Sequence, residues 1–186
     1  ARAQSFCVDA AGIHFDYSKN LISQQTLELL CDLASHCRLQ ESIQAMFVGE
    51  SINNTENRAV LHTALRAPAS KELHVDGVDI TAQVQIQLTR IERFVEKVHT
   101  GEWLGQTGKP IDTIVNIGIG GSHLGPEMVV RALEPYRLKT IKMHFLANLD
   151  ADNTRQLLDQ LDPETTLFVV VSKSFSTLET TLNAQV

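Results

Sequence analysis

Apolar residues recur along this chain in two rhythms, one up to about residue 109 and another beyond it. In the first stretch the spacing is helical. Ser23 is an expected N-cap, followed by Leu27, Leu30, Cys31 and Ala34 on one face of a helix. Val84, Leu88, Ile91, Val95 and Val98 repeat at alternating spacings of four and three, with Glu92, Arg93, Glu96 and Lys97 on the opposite side. Thr81 is expected to cap this longer helix and Gly101 to stop it. Residues 49–66 read as a loop entering another helix. Residues 73–80 read as two small strands joined by a turn at Asp76-Gly77.

The second rhythm begins near Pro110. Residues 113–117, 142–146 and 167–171 are expected strands, and residues 126–133 and 152–161 expected helices between them. Strand, helix, strand, helix, strand implies an α/β fold with a doubly wound parallel sheet and right-handed crossovers. The run Leu167-Phe168-Val169-Val170-Val171 is continuously apolar, as expected of a strand covered on both faces. A last helix is expected to begin near Ser176 and is still in pattern at Val186. Three parallel strands alone leave an apolar edge unpaired, so the domain is expected to be truncated at its C-terminal end. The expected organisation is a mainly helical segment over residues 1–109, followed over 110–186 by the first part of a parallel α/β domain.

Composition narrows the function. The 186 residues are 43% hydrophobic and 20% charged, enough for a sizeable core in an ordinary soluble protein. A net charge of −6 argues against a general nucleic-acid binder, which needs clustered Lys and Arg. Any phosphate must be held by local geometry instead. The apolar run at 167–171 is strand-sized, and no membrane span is expected. Cys7, Cys31 and Cys37 form no C-x-x-C pair and are expected to be free thiols.

Two loops carry candidate chemistry. Asn116-Ile117-Gly118-Ile119-Gly120-Gly121-Ser122 follows the first strand and leads into a helix. It reads either as a tight turn or as a ligand loop whose glycines admit a close approach. The dinucleotide fingerprint fails, because His123 stands at its last glycine position, and neither Gly125-Pro126 nor Gly108-Lys109-Pro110 completes a P-loop. The second loop, Ser172-Lys173-Ser174-Phe175-Ser176-Thr177, places four hydroxyls and a lysine between a strand and a helix. It reads either as helix capping with solvated serines or as a phosphate cradle of hydroxyls and helix amides. Both loops are expected at the carboxyl ends of parallel strands, where open α/β sheets bind ligands. The seven histidines show no metal-ligand spacing. His123 reads as a supporting or surface group, His62 as a packed structural one, and Glu179 as orienting a loop amide. No carboxylate pair suggests acid–base catalysis, so no catalytic residue is assigned.

From about Phe15 to Ala184 the chain resembles the glucose-6-phosphate isomerase family. Asp16-Tyr17-Ser18-Lys19-Asn20 is similar to its early segment. Phe47-Val48-Gly49-Glu50-Ser51-Ile52-Asn53, Thr55-Glu56 and Arg58-Ala59-Val60-Leu61-His62 are similar to its next signature. Gly105-Gln106-Thr107-Gly108-Lys109 precedes the first strand as in the family, and the two loops resemble its ligand loops. The resemblance implies a sugar isomerase (SIS) fold, a cytoplasmic homodimer, and interconversion of glucose 6-phosphate and fructose 6-phosphate in glycolysis and gluconeogenesis. No cofactor or metal is implied.

By the same likeness Ser172, Lys173, Ser174, Phe175, Ser176 and Thr177 hold the phosphate of a hexose 6-phosphate, and Gly121 and Ser122 contact the sugar. The family's catalytic glutamate, histidine, lysine and arginine match no position here, so the chain alone is expected to be inactive. Ser174 and Ser176 stand where threonine is usual. His123, Leu178 and Ser51 replace a common aspartate, glutamine and lysine. The loops alone also suit a non-catalytic SIS module that binds sugar phosphates in a regulatory role, though such a module does not need the signature at 49–62.

Overall fold

The computed structural model describes residues 1–185. The chain divides into two compact units, Ala1–Gln87 and Leu88 onward. The first opens with a short helix α1 (Arg2–Ser5) and a hairpin of β1 (Cys7–Ala10) and β2 (Ile13–Asp16) that the periodicity did not reveal. Its turn, Ala11-Gly12, is left-handed at both residues (φ 52° and 76°), a two-residue hairpin geometry without the usual Asn or Asp signal. Next come α2 (Gln24–His36) and α3 (Leu39–Val48). Ser23 caps α2 as expected: its hydroxyl accepts from the Thr26 amide at 3.1 Å, and Thr26 Oγ1 accepts in return from the Ser23 amide at 3.3 Å. The strands β3 (His74–Val75) and β4 (Val78–Asp79) meet at Asp76-Gly77, also as expected.

Two local expectations change. Helix α4 (Ile80–His99), which runs across the boundary of the two units, is capped by Asp79, whose Oδ1 accepts from the Ala82 amide at 3.0 Å. Thr81 is instead buried; its hydroxyl donates to the Lys71 carbonyl at 2.7 Å and accepts from the Leu73 amide at 3.1 Å. A buried hydroxyl must be paired, and a chain segment ten residues away offered both partners. His62, expected to be packed, is exposed at the start of a short 3-10 helix over His62–Arg66.

The second unit holds a three-stranded parallel sheet in the order β6-β5-β7, from β5 (Thr113–Ile117), β6 (Lys142–Leu146) and β7 (Thr166–Val170). Helix α5 (Gly121–Ala132) joins β5 to β6, and α6 (Ala151–Leu158) joins β6 to β7. Because β7 lies on the far side of β5 from β6, the two connections cross the sheet in opposite directions. Right-handed crossovers then put α5 and α6 on opposite faces. Packing agrees: Val115, Ile117 and Leu146 form a core with Leu157 and Leu161 around α6. Ile114 and Met143 face the other side, toward Phe94 and Val98 of α4. The sheet is therefore doubly wound.

The strand buried on both faces is β5, not the apolar run at 167–171. Among the described residues that run pairs with β5 on one side and, shifted by one residue, forms β7 at the sheet's edge, with Phe168 44% and Val169 36% exposed. Before β5, residues 105–109 make a tight turn in which the Gly108 amide reaches the Gly105 carbonyl at 2.9 Å and Lys109 pairs with Glu164.

Asp112 ties the sheet's lower edge together. Its carbonyl accepts from the Lys142 amide at 2.8 Å, its own amide reaches Thr165, and its carboxylate accepts from the Thr113 hydroxyl at 2.8 Å. Hydrogen bonds from Thr113, then Thr165, hold this carboxyl below the ordinary value of 3.8. A depressed folded-state pKa contributes stability above the ordinary value and loses it as pH falls through the folded one. Asp112→Asn is therefore expected to flatten the loss of stability as pH falls below the ordinary carboxyl value of 3.8. Chemical denaturation at stepped pH would check this, and parallel losses in variant and wild type would exclude it.

Candidate functional site

The glycine turn begins where β5 ends. The Gly118 amide donates to the Leu146 carbonyl at 3.2 Å, which fixes the turn against β6. Gly120 has φ of +58° and stands at the N-cap of α5 without a side chain to cap it. The helix starts at Gly121, five residues before the expected start, so Pro126 lies inside it. Ser122 N reaches the Ile119 carbonyl at 3.1 Å, and Leu124 N reaches the Gly120 carbonyl at 2.8 Å. Among the described residues the Gly121 amide has no such acceptor. Asn116, buried in β5, donates from Nδ2 to the Ser122 carbonyl at 3.1 Å.

The hydroxyl loop follows β7. Ser172 Oγ accepts from the Phe175 amide at 3.0 Å and lies 3.4 Å from Thr177 Oγ1. Ser174 and Ser176 pair their hydroxyls at 2.7 Å. Phe175 sits at the bend with φ of 53° and its side chain exposed. Thr177 is the N-cap of α7 (Leu178–Asn183) but makes no capping bond with its side chain. Ordinary capping therefore does not account for this loop. Among the described residues the amides of Ser174, Ser176, Leu178 and Glu179 have no protein acceptor, which leaves them to an outside one. By contrast α6 is closed by Asp150, whose carboxylate accepts from the Asn153 amide at 2.9 Å.

The two loops leave neighbouring strands. Ile117 and Val170 are paired across β5 and β7, and the Val171 amide donates to the Ile117 carbonyl at 2.8 Å. The strand ends are thus about 5 Å apart. The connection out of β5 turns toward β6 and away from β7, so these two strand ends border the reversal of crossover direction at which open α/β sheets take ligands. Gly121, Lys173, Ser174, Phe175 and Ser176 are exposed, and Ser122, Ser172 and Thr177 half-buried. An anion with several acceptor oxygens and a polyhydroxyl body suits such a set of donors. Among the described residues no group of His, Cys, Asp and Glu could hold a metal ion.

Two features went unread in the sequence. One is a ladder along α5: His123 Nε2 meets Glu127 Oε2 at 3.1 Å, and Glu127 Oε1 accepts from Arg131 at 2.6 Å. The His123 ring also stands edge-on to Phe145, so it supports the turn from behind. Its spacing of four was the available signal. The other is Asn116, a polar residue inside an apolar strand. A separate apolar cavity of about 770 Å³ lies between α4, α5 and the sheet, lined by residues such as Val95, Val129, Leu133 and Met143. It offers few donors to a phosphate. Among the described residues no helix is long and apolar enough to cross a membrane, and Cys7, Cys31 and Cys37 are free thiols.

A family model described as phosphoglucose isomerase matches residues 16–186. The glucose-6-phosphate isomerase of Hahella chejuensis is 52% identical over 184 residues, 99% of this chain and 33% of that protein. The glucose-6-phosphate isomerase of Francisella philomiragia is 53% identical over 183 residues, 98% of this chain and 34% of its own. A crystal structure of a glucose-6-phosphate isomerase from Chlamydia trachomatis aligns with 99% of this chain and 35% of its own, with a TM-score of 0.76 and 30% identity. The chain spans about a third of the length of these relatives. Because the family match begins at residue 16, it takes in the signature at 49–62, and the regulatory-module reading is not favoured.

Proposed function

The chain belongs to the phosphoglucose isomerase family, and on that premise we propose that the whole protein to which it contributes interconverts glucose 6-phosphate and fructose 6-phosphate. This chain supplies substrate contacts. Ser172, Lys173, Ser174, Phe175, Ser176 and Thr177 form the phosphate loop, with hydroxyls and first-turn amides of α7 as donors. Gly121 and Ser122 meet the sugar from the neighbouring strand end. The observation that carries this reading is the pairing of β5 and β7, which brings two donor-rich loops to one switch point. Residues 110–186 are then the first part of an SIS-type domain, preceded by the mainly helical segment 1–109. The whole protein works as a homodimer in the cytoplasm, in glycolysis and gluconeogenesis, without a cofactor.

Isomerisation between an aldose and a ketose moves a proton between neighbouring carbons, which calls for a positioned base and for stabilisation of oxyanion charge. The two loops offer donors but no candidate base. The chain by itself is therefore expected to show no turnover in a coupled isomerase assay, whereas the whole protein turns over both sugars. Normal turnover by the 186-residue chain would refute this division of labour. Titration of the whole protein with fructose 6-phosphate, 6-phosphogluconate and NAD tests the ligand class; a preference for NAD would overturn the isomerase reading.

A further inference from the structure

In an α-helix each amide bonds the carbonyl four residues earlier. Proline has no amide hydrogen, so Pro126 inside α5 leaves the Ser122 carbonyl without its helical donor. A shielded carbonyl in that state is rarely left unpaired. Here the missing donor comes from outside the helix. Asn116 stands in the central strand between Val115 and Ile117 and pairs in register with Phe145 and Val169, so its own amide is the polar group in an apolar setting. Only 6% of it is exposed. Its Nδ2 donates to the Ser122 carbonyl at 3.1 Å. Gly118 makes the approach possible, since a Cβ at that position would stand 2.6 Å from the same carbonyl oxygen. Asn116, Gly118 and Pro126 thus converge on one atom of the residue that follows Gly121.

We infer that Asn116 is a positioning residue of the sugar-binding turn: it makes the hydrogen bond that Pro126 cannot, and so holds Gly121-Ser122 in register with the end of β5. The inference rests on the isomerase reading above, in which that turn meets the sugar. The first turn of α5 otherwise has little to hold it. Gly120 supplies no side-chain cap, and glycine at three of the four positions from 118 to 121 gives the segment wide conformational freedom. An unanchored carbonyl at Ser122 would let the turn shift toward solvent to find water. Asn116 touches no reacting atom; its effect reaches the substrate through Ser122.

The test uses the whole protein carrying this chain and steady-state kinetics with fructose 6-phosphate. Asn116→Ala is expected to raise KM about tenfold with kcat changed less than about twofold, the pattern of lost uniform binding. Asn116→Asp, of the same size but with an acceptor in place of the donor, is expected to do the same; thermal midpoints show whether each variant is folded. Pro126→Ala alone is expected to leave KM near the wild-type value. The decisive variant combines Asn116→Ala with Pro126→Ala. The amide hydrogen restored at residue 126 can bond Ser122, so KM is expected to return to within about threefold of the Pro126→Ala value. An unchanged KM in both Asn116 variants would overturn the inference, and so would a raised KM that Pro126→Ala fails to restore. A wild-type protein that neither binds nor converts fructose 6-phosphate would instead sink the isomerase reading itself.

Discussion

Replacing Ser174 and Ser176 together by alanine is expected to weaken binding of fructose 6-phosphate to the whole protein about 100-fold or more, with almost no loss of thermal stability. The reason is that both hydroxyls are exposed and, among the described residues, bond each other alone, at 2.7 Å. Removing both partners of an exposed hydrogen bond leaves no buried group unpaired, so the fold loses little. A phosphate loses two donors at once. Hydrogen bonds to charged groups contribute about 1.5–3 kcal/mol each, so the lower end for two is about 3 kcal/mol, or about a hundredfold. The inhibition constant of 6-phosphogluconate should rise in step with KM. Unchanged values for both ligands would remove this loop from the phosphate site.

Gly118→Ala is the second large effect. The added methyl would stand 2.6 Å from the Ser122 carbonyl oxygen and 2.9 Å from Ser122 Cβ, and backbone cannot move aside as a flexible side-chain tip can. The same oxygen accepts from Asn116, so relief of the clash breaks that bond. Overpacking of this kind costs about 1–3 kcal/mol. If Gly121-Ser122 meets the sugar as proposed, its displacement adds a loss of about 100-fold in kcat/KM, because misplacing a substrate contact by about 1 Å has effects of that order. Gly125→Ala is the control. It lies within α5, just beyond the turn that holds Gly118, with nothing near its missing Cβ, and should be neutral or slightly stabilising. Thermal unfolding with kinetics on both variants checks the pair, and equal behaviour would exclude the close approach at Gly118.

Much of the candidate site was legible before any coordinates. The spans of β5 and β6, the hairpin turn at Asp76-Gly77 and the cap at Ser23 all follow from local chemistry within a few residues. Both loops were readable for the same reason, since glycines and clustered hydroxyls are visible in the chain itself. What was misread depends on distant partners. Thr81 looks like an N-cap by type, yet Lys71 and Leu73 claim its hydroxyl and Asp79 does the capping. The run at 167–171 looks covered on both faces by hydrophobicity, yet Phe168 and Val169 are exposed, while the unpaired apolar edge expected of three strands is present among the described residues.

Local pattern placed β5 and β6 to the residue and β7 to within one, put the start of α5 five residues late, and marked two loops as rich in donors. Periodicity carries this because it records which face of an element is apolar. It does not record which element lies beside which. The strand order β6-β5-β7, the burial of β5, and the meeting of the two loops at neighbouring strand ends were decided by tertiary structure alone. So was the bond from Asn116 to Ser122, which depends on a proline inside a helix and a glycine beneath it. The strand order and the meeting of the loops pair residues across crossovers, and the Asn116 bond pairs a strand with the helix that follows it; in each the energy lies in packing and hydrogen-bond satisfaction rather than in local preference.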